Sequence, residues 1–156
     1  MKAPIDMEVV NLQQVLAGFK GYEKEAGDAI DFAVFQTANA IRKDAINRLQ
    51  GMFGSLRHIG IGATLAGHMY TEKVQQGEWL TGNDMEYAPY IEFGTGDLVF
   101  TNFDFDEDAR KVASQYKGKG IRKVNIRGDS FLNWGAVNQQ KKLLKRLETE
   151  LNKINR

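Results

Sequence analysis

Tyr87-Ala88-Pro89-Tyr90-Ile91-Glu92-Phe93-Gly94-Thr95-Gly96 is the stretch on which the reading of this chain turns. Tyr, Ile and Phe favour a pleated, half-buried surface. Period-two alternation sets Tyr87, Pro89, Ile91 and Phe93 on one face and Ala88, Tyr90 and Glu92 on the other. Pro89 has no N–H to give to a ladder, so the stretch predicts an edge strand. Gly94 and Gly96 permit backbone angles closed to other residues and end it. An open edge carrying aromatic side chains is a surface that a second chain can complete.

Working back from that stretch, Met69–Gln75 and Glu78–Thr81 are rich in β-favouring residues around Gln76-Gly77, with a further turn at Gly82-Asn83-Asp84. Leu56–Tyr70 sets Gly60, Gly62 and Gly67 among Ile59, Ile61, Leu65 and Met69, which suits strand and turn, so residues 55–96 predict an antiparallel β-meander. Further upstream, Val9, Leu12, Leu16 and Phe19 fall at helical spacing and predict a short helix weakened by Gly18 and Gly21. A second, longer helix follows, capped by Asp28, with Ile30, Val34, Ala38, Ile41, Ala45 and Leu49 on one stripe. Burying each large aliphatic there is worth about 1.5–3 kcal/mol, which outweighs the tenths lost to β-branched residues.

Forward from Gly96, residues 97–128 lie between the last clear strand and the last clear helix. Asp106–Tyr116 predicts a short helix, Lys117-Gly118-Lys119-Gly120 a basic turn, and Val124 with Ile126 a final edge strand. An excursion this long is usually functional or mobile. Asp129 or Ser130 can cap a closing helix carrying Leu143, Leu144, Leu147, Leu151 and Ile154, with Lys141, Lys142, Lys145 and Arg146 on its wet side. The expectation is a single α+β domain over 1–156. Helical residues 1–54 and a C-terminal helix over 129–156 pack on a small antiparallel sheet, and 97–128 form a long loop excursion.

At 156 residues the chain can bury a core of its own. Lys and Arg number 21 against 20 Asp and Glu, so any nucleic-acid contact must be local. The absence of cysteine excludes disulfides, thiolate metal sites and cysteine nucleophiles. No secretory signal is read at Met1–Asp6, and no stretch approaches the length of a membrane span, so a soluble protein is expected.

The sequence Tyr87-x-x-Tyr90-Ile91-Glu92-Phe93-Gly94-Thr95 resembles the signature of neck and tail-completion proteins of long-tailed bacteriophages, which join the DNA-filled head to the tail. In that family the signature follows a long amphipathic helix and a short Gly-x-Leu-Arg segment, and precedes a helix introduced by Phe-Leu. Here those pieces are Gly54-Ser55-Leu56-Arg57-His58-Ile59 and Phe131-Leu132-Asn133-Trp134. The family commonly has Pro and Thr-Gly before that Leu, where this chain has Gly51-Met52-Phe53-Gly54-Ser55. The resemblance implies a non-enzymatic virion protein at the head–tail interface, assembled in the bacterial cytoplasm and needing no cofactor. Its copies form a ring of six, or of twelve, through which DNA passes. Portal-side, connector, tail-terminator and tail-tube proteins are the implied neighbours, and Tyr87, Pro89, Tyr90, Glu92, Phe93, Gly94 and Thr95 the implied subunit interface.

Lys117, Lys119, Arg122, Lys123 and Arg127 form a basic run with no acidic residue among them, suited to DNA phosphates or to an acidic partner, and equally to a solvated loop. A small nucleic-acid-binding module built on it is the alternative function. Asp104, Asp106 and Asp108 begin like a calcium loop, but Ala109 and Gln115 stand where Gly and a carboxylate are required, so an acidic helix start is favoured. His58 and His68 read as structural, and Glu92 as a carboxylate ordering the sheet edge rather than as a catalytic acid.

Overall fold

The computed structural model describes residues 12–51, 59–96, 107–115 and 127–154. Seven elements follow in order: α1 Leu12–Gly51, α2 Ile59–Gly67, β1 Met69–Gln75, β2 Glu78–Asn83, α3 Ala88–Phe93, α4 Glu107–Ser114 and α5 Phe131–Ile154. The architecture is α+β: two long helices and a small two-stranded antiparallel sheet, with shorter helices between.

The two helices predicted before Gly51 are one helix of 40 residues. Gly18 and Gly21 each cost about 1 kcal/mol in propensity, but neither removes a hydrogen bond, so the helix runs through them. Asp28 therefore lies inside α1 and caps nothing. Of the predicted stripe on α1, Ala38, Ala45 and Leu49 are buried, Val34 and Ile41 half-buried and Ile30 exposed, while Ala33, off the stripe, is buried.

Antiparallel α5 packs along α1 through a polar seam. The Arg146 guanidinium donates to Thr37 Oγ1 (3.0 Å) and to Gln139 Oε1 (2.7 Å), and Gln139 Nε2 donates to Asp44 (2.5 Å). Seven residues forward on α1 is thus seven back on α5, which is the register of a matched antiparallel pair. Gly135 lets the helices meet: a Cβ there would lie 2.9 Å from the Ile41 carbonyl oxygen.

The meander reduces to one hairpin. β1 pairs antiparallel with β2 from Met69 opposite Asn83 to Gln75 opposite Glu78, with an irregularity between Lys73 and Gln75. Its tip is fixed to α1 by Asp31, which accepts from Lys73 Nζ (2.7 Å), the Gly77 N–H (2.8 Å) and Trp79 Nε1 (3.1 Å). The Lys73 ammonium, then the Gly77 N–H, hold this carboxyl below its usual range. Trp79 lies 4.5 Å from Phe35, centroid to centroid.

Two predicted strands are helices. Residues 59–67 form α2, which buries Leu65 in the core with Ala45, Leu49, Met69, Ala88, Ile91 and Phe131. Residues 88–93, the stretch expected as an edge strand, form α3. Pro89 sits in its first turn, where an N–H has no helical partner to lose. Ala88 and Ile91, three apart, turn to the core together. The helix expected near Asp106–Tyr116 is α4. Val124 and Ile126 fall outside the described residues.

Candidate functional site

The signature stretch and the start of α5 form one clasp, built around Glu92. At the end of α3 this side chain is 5% exposed, and its carboxylate faces the first turn of α5. Oε2 accepts the Leu132 N–H at 2.8 Å and Oε1 the Asn133 N–H at 2.9 Å. These are two of the orphan donors that every helix N-terminus carries. The predicted caps, Asp129 and Ser130, do not serve them. Glu92 is a remote cap from another element, so its predicted place on a sheet edge is corrected.

That substitution of roles explains its neighbours. Ser130 holds the cap position, since the Trp134 N–H bonds its carbonyl at 2.9 Å, yet its φ is +56° and its buried hydroxyl has no partner among the described residues. Asp129 turns instead to α1, where Arg48 Nε lies 2.9 Å from its Oδ2 and 3.0 Å from its carbonyl oxygen. The same guanidinium stands 5.2 Å from the centroid of the Trp134 ring. Arg48 thereby locks α1 to the clasp.

Backbone bonds close it. The Asp129 N–H donates to the Ile91 carbonyl (2.7 Å) and the Ser130 N–H to the Glu92 carbonyl (3.0 Å), while Gly94 and Arg127 form an antiparallel bridge. Gly128 passes so near that a Cβ would lie 2.5 Å from the Phe93 carbonyl carbon. Both ends of the excursion therefore leave the body at one point.

Burial pushes the Glu92 carboxyl up to about 7 from its ordinary 4.5. The Asn133 and Leu132 N–H groups oppose that rise, Asp129 adds to it, and Arg48 opposes it. An elevated carboxyl in a cleft would suggest acid–base chemistry. Here both oxygens are committed to backbone donors inside the fold, so this carboxyl has a structural task.

Of the residues predicted for a subunit interface, Glu92, Gly94 and Thr95 are buried and Tyr87, Pro89, Tyr90 and Phe93 half-buried within the subunit, so no open edge strand exists there. Of the basic run, Arg127 is described, exposed and at the clasp; Lys117, Lys119, Arg122 and Lys123 lie outside the described residues. So do His58, Asp104 and Asp106. Asp108 belongs to the acidic first turn of α4, and His68 Nδ1 pairs with Asp84 at 2.7 Å. No group of acidic and histidine side chains suited to a metal occurs among the described residues. No helix among them is long and apolar enough to cross a membrane.

Sequence reading missed Arg48, Asp129 and Gly128 as parts of the clasp. A hint existed in Asp129 directly before a Ser, two candidate caps for one helix. Comparison with protein-family models, curated proteins and solved structures gives no match to this chain.

Proposed function

We propose that this chain is a structural subunit of the head–tail interface of a long-tailed bacteriophage, acting by assembly into a ring rather than by catalysis. The observation that carries this reading is the clasp. Two of the segments that carry the resemblance, Ile91-Glu92-Phe93-Gly94 and Phe131-Leu132-Asn133, lie far apart in sequence and meet there through Glu92. Their shared residues then have a physical reason to occur together: they cap the closing helix and fix the take-off point of the excursion between them. A body in which α5 and the hairpin pack on α1, with both ends of the excursion tied together at the Gly94–Arg127 bridge, suits a subunit that reaches its neighbours. Portal-side and tail-side rings are the partners in this reading, and DNA fills the central hole.

The test is loss of the chain from the virus that encodes it. Electron microscopy should then show DNA-filled heads and finished tails lying apart. Joined virions in normal number would refute the reading.

A further inference from the structure

We propose that α5 pairs with the α5 of a second copy of this chain, the two running antiparallel along a seam of Val137, Gln140, Leu144, Leu147, Leu151 and Ile154. These positions are spaced alternately three and four residues apart, the a and d repeat that two helices bury between them. All but Gln140 are apolar. The seam is not the face that holds α5 to its own body. Gly135, Gln139 and Arg146 meet α1, and at 100° per residue the seam is centred about 130° around the helix from them. Its exposure agrees. Val137 is 39% and Leu144 70% exposed, Gln140 is exposed, and Leu147, Leu151 and Ile154 are half-buried.

The occupant follows from the self-complementarity of the seam. In an antiparallel pair each a position faces a d position of the other helix. Setting Leu144 against Leu147 of the second copy brings Val137 opposite Ile154 and Gln140 opposite Leu151, and the two-fold axis repeats all three pairs. The same register sets Lys141 beside Glu148 of the second copy, on the flank of the seam and twice in the pair. Both side chains are exposed, and neither has an ion-pair partner among the described residues of its own chain. A parallel pair loses this match, because Lys141 would then face Ala136 and Glu148 would face Leu143. A second α5 thus supplies the apolar row, an acid for Lys141 and a base for Glu148.

The seam runs for about 26 Å at 1.5 Å per residue, a short contact for two helices that must also order themselves on meeting. Here they need not. Each α5 is already packed along its own α1, so pairing costs little helix ordering. Leu144, the most exposed large apolar side chain among the described residues, comes to lie beside the two-fold axis, where the pair buries it from both sides. The contact is isologous and closes at two copies, so it is separate from a ring contact, which must be head-to-tail. It goes beyond the ring reading and does not rest on it.

Sedimentation equilibrium of the full chain tests this by charge reversal. The wild type should form a dimer. Lys141→Glu or Glu148→Lys alone sets like charges together on both flanks of the seam and should weaken that dimer by about tenfold or more. The double variant, Lys141→Glu with Glu148→Lys, restores opposite charges in exchanged places and should return the dissociation constant to within about threefold of the wild type. Within one chain the two side chains stand about 10 Å apart along the helix, so this rescue reports a contact between copies. Leu144→Glu should leave a monomer, and wild-type helix content by circular dichroism would show that its body folds. A wild type that stays monomeric, a dimer that survives Leu144→Glu, or a double variant no tighter than the single ones would overturn the proposal. Each of those results leaves the head–tail reading in place, since normal virions made without the chain are what would remove it.

Discussion

At Glu92 two opposing effects act on one carboxylate. Removal from water favours the protonated form, and two helix N–H donors favour the ionised one. Burial prevails, and the group titrates near 7 in the fold against 4.5 ordinarily. Between those values the folded chain holds a proton that the unfolded chain has released, so stability falls as pH rises through the window and levels off above it. The full contribution is roughly 3 kcal/mol at 1.36 kcal/mol per pH unit. Glu92→Gln should flatten this slope. It should also cost about 1–3 kcal/mol at pH 4.5, because an amide can accept only one of the two N–H bonds without turning its NH2 toward the other. The penalty should shrink above pH 7, where the wild type has itself lost stability. Urea midpoints across pH 4–8 measure both effects, and parallel profiles for the two proteins would contradict the assignment. Ser130 gives the converse case. With φ at +56° and a buried, unpaired hydroxyl, it carries two costs that glycine lacks. Ser130→Gly should raise stability by about 1 kcal/mol in the same denaturation assay.

Among the elements, α5 and the hairpin could be read from the sequence because their signals were unambiguous: a long amphipathic stripe, and β-favouring runs around Gln76-Gly77. The single helix α1 could not, because propensity puts a breaking signal at Gly18 and Gly21 and nothing local shows that the penalty is small against continuing the hydrogen-bond ladder. α3 was misread for another reason. In six residues, apolar positions at 88, 91 and 93 satisfy periods of 2 and 3.6 about equally, and Pro89 suits a sheet edge as well as a helix first turn. The choice was made by tertiary contacts that put Ala88 and Ile91 against Phe131 and Leu65. The clasp was hidden further still, since Glu92 and Leu132 are 40 positions apart and no local pattern pairs a carboxylate with a distant helix start. The α1–α5 seam is likewise a long-range feature with a measurable consequence. Gln139 bridges Asp44 and Arg146, so Gln139→Leu leaves a part-buried carboxylate and guanidinium each short of a partner. The cost should be about 2–3 kcal/mol by thermal or urea unfolding, larger than the gain from one added apolar side chain. A neutral or stabilising result would mean that the seam sets register without supporting the fold.

For the molecule as a whole, α1 is the common support: α5, the hairpin and α2 all pack on it, and Arg48 ties it to the clasp. The excursion has a different status. It departs after Gly94 and returns at Arg127, two residues already bridged, so the body closes without it. Replacing residues 97–126 with a linker of about six glycine and serine residues should leave the bonds from Asp129 to Ile91 and from Ser130 to Glu92 in place. A loop some five-fold shorter also lowers the closure entropy by about 1 kcal/mol, set against the lost burial of Ala113, which among the described residues of α4 is the buried one. The shortened chain should therefore unfold cooperatively within a few degrees of the full one. In the head–tail reading it should nevertheless fail to restore joined virions when supplied to a virus lacking the chain. Folding with full restoration would assign partner contacts to the body alone, and loss of cooperative unfolding would show that the excursion is part of the core.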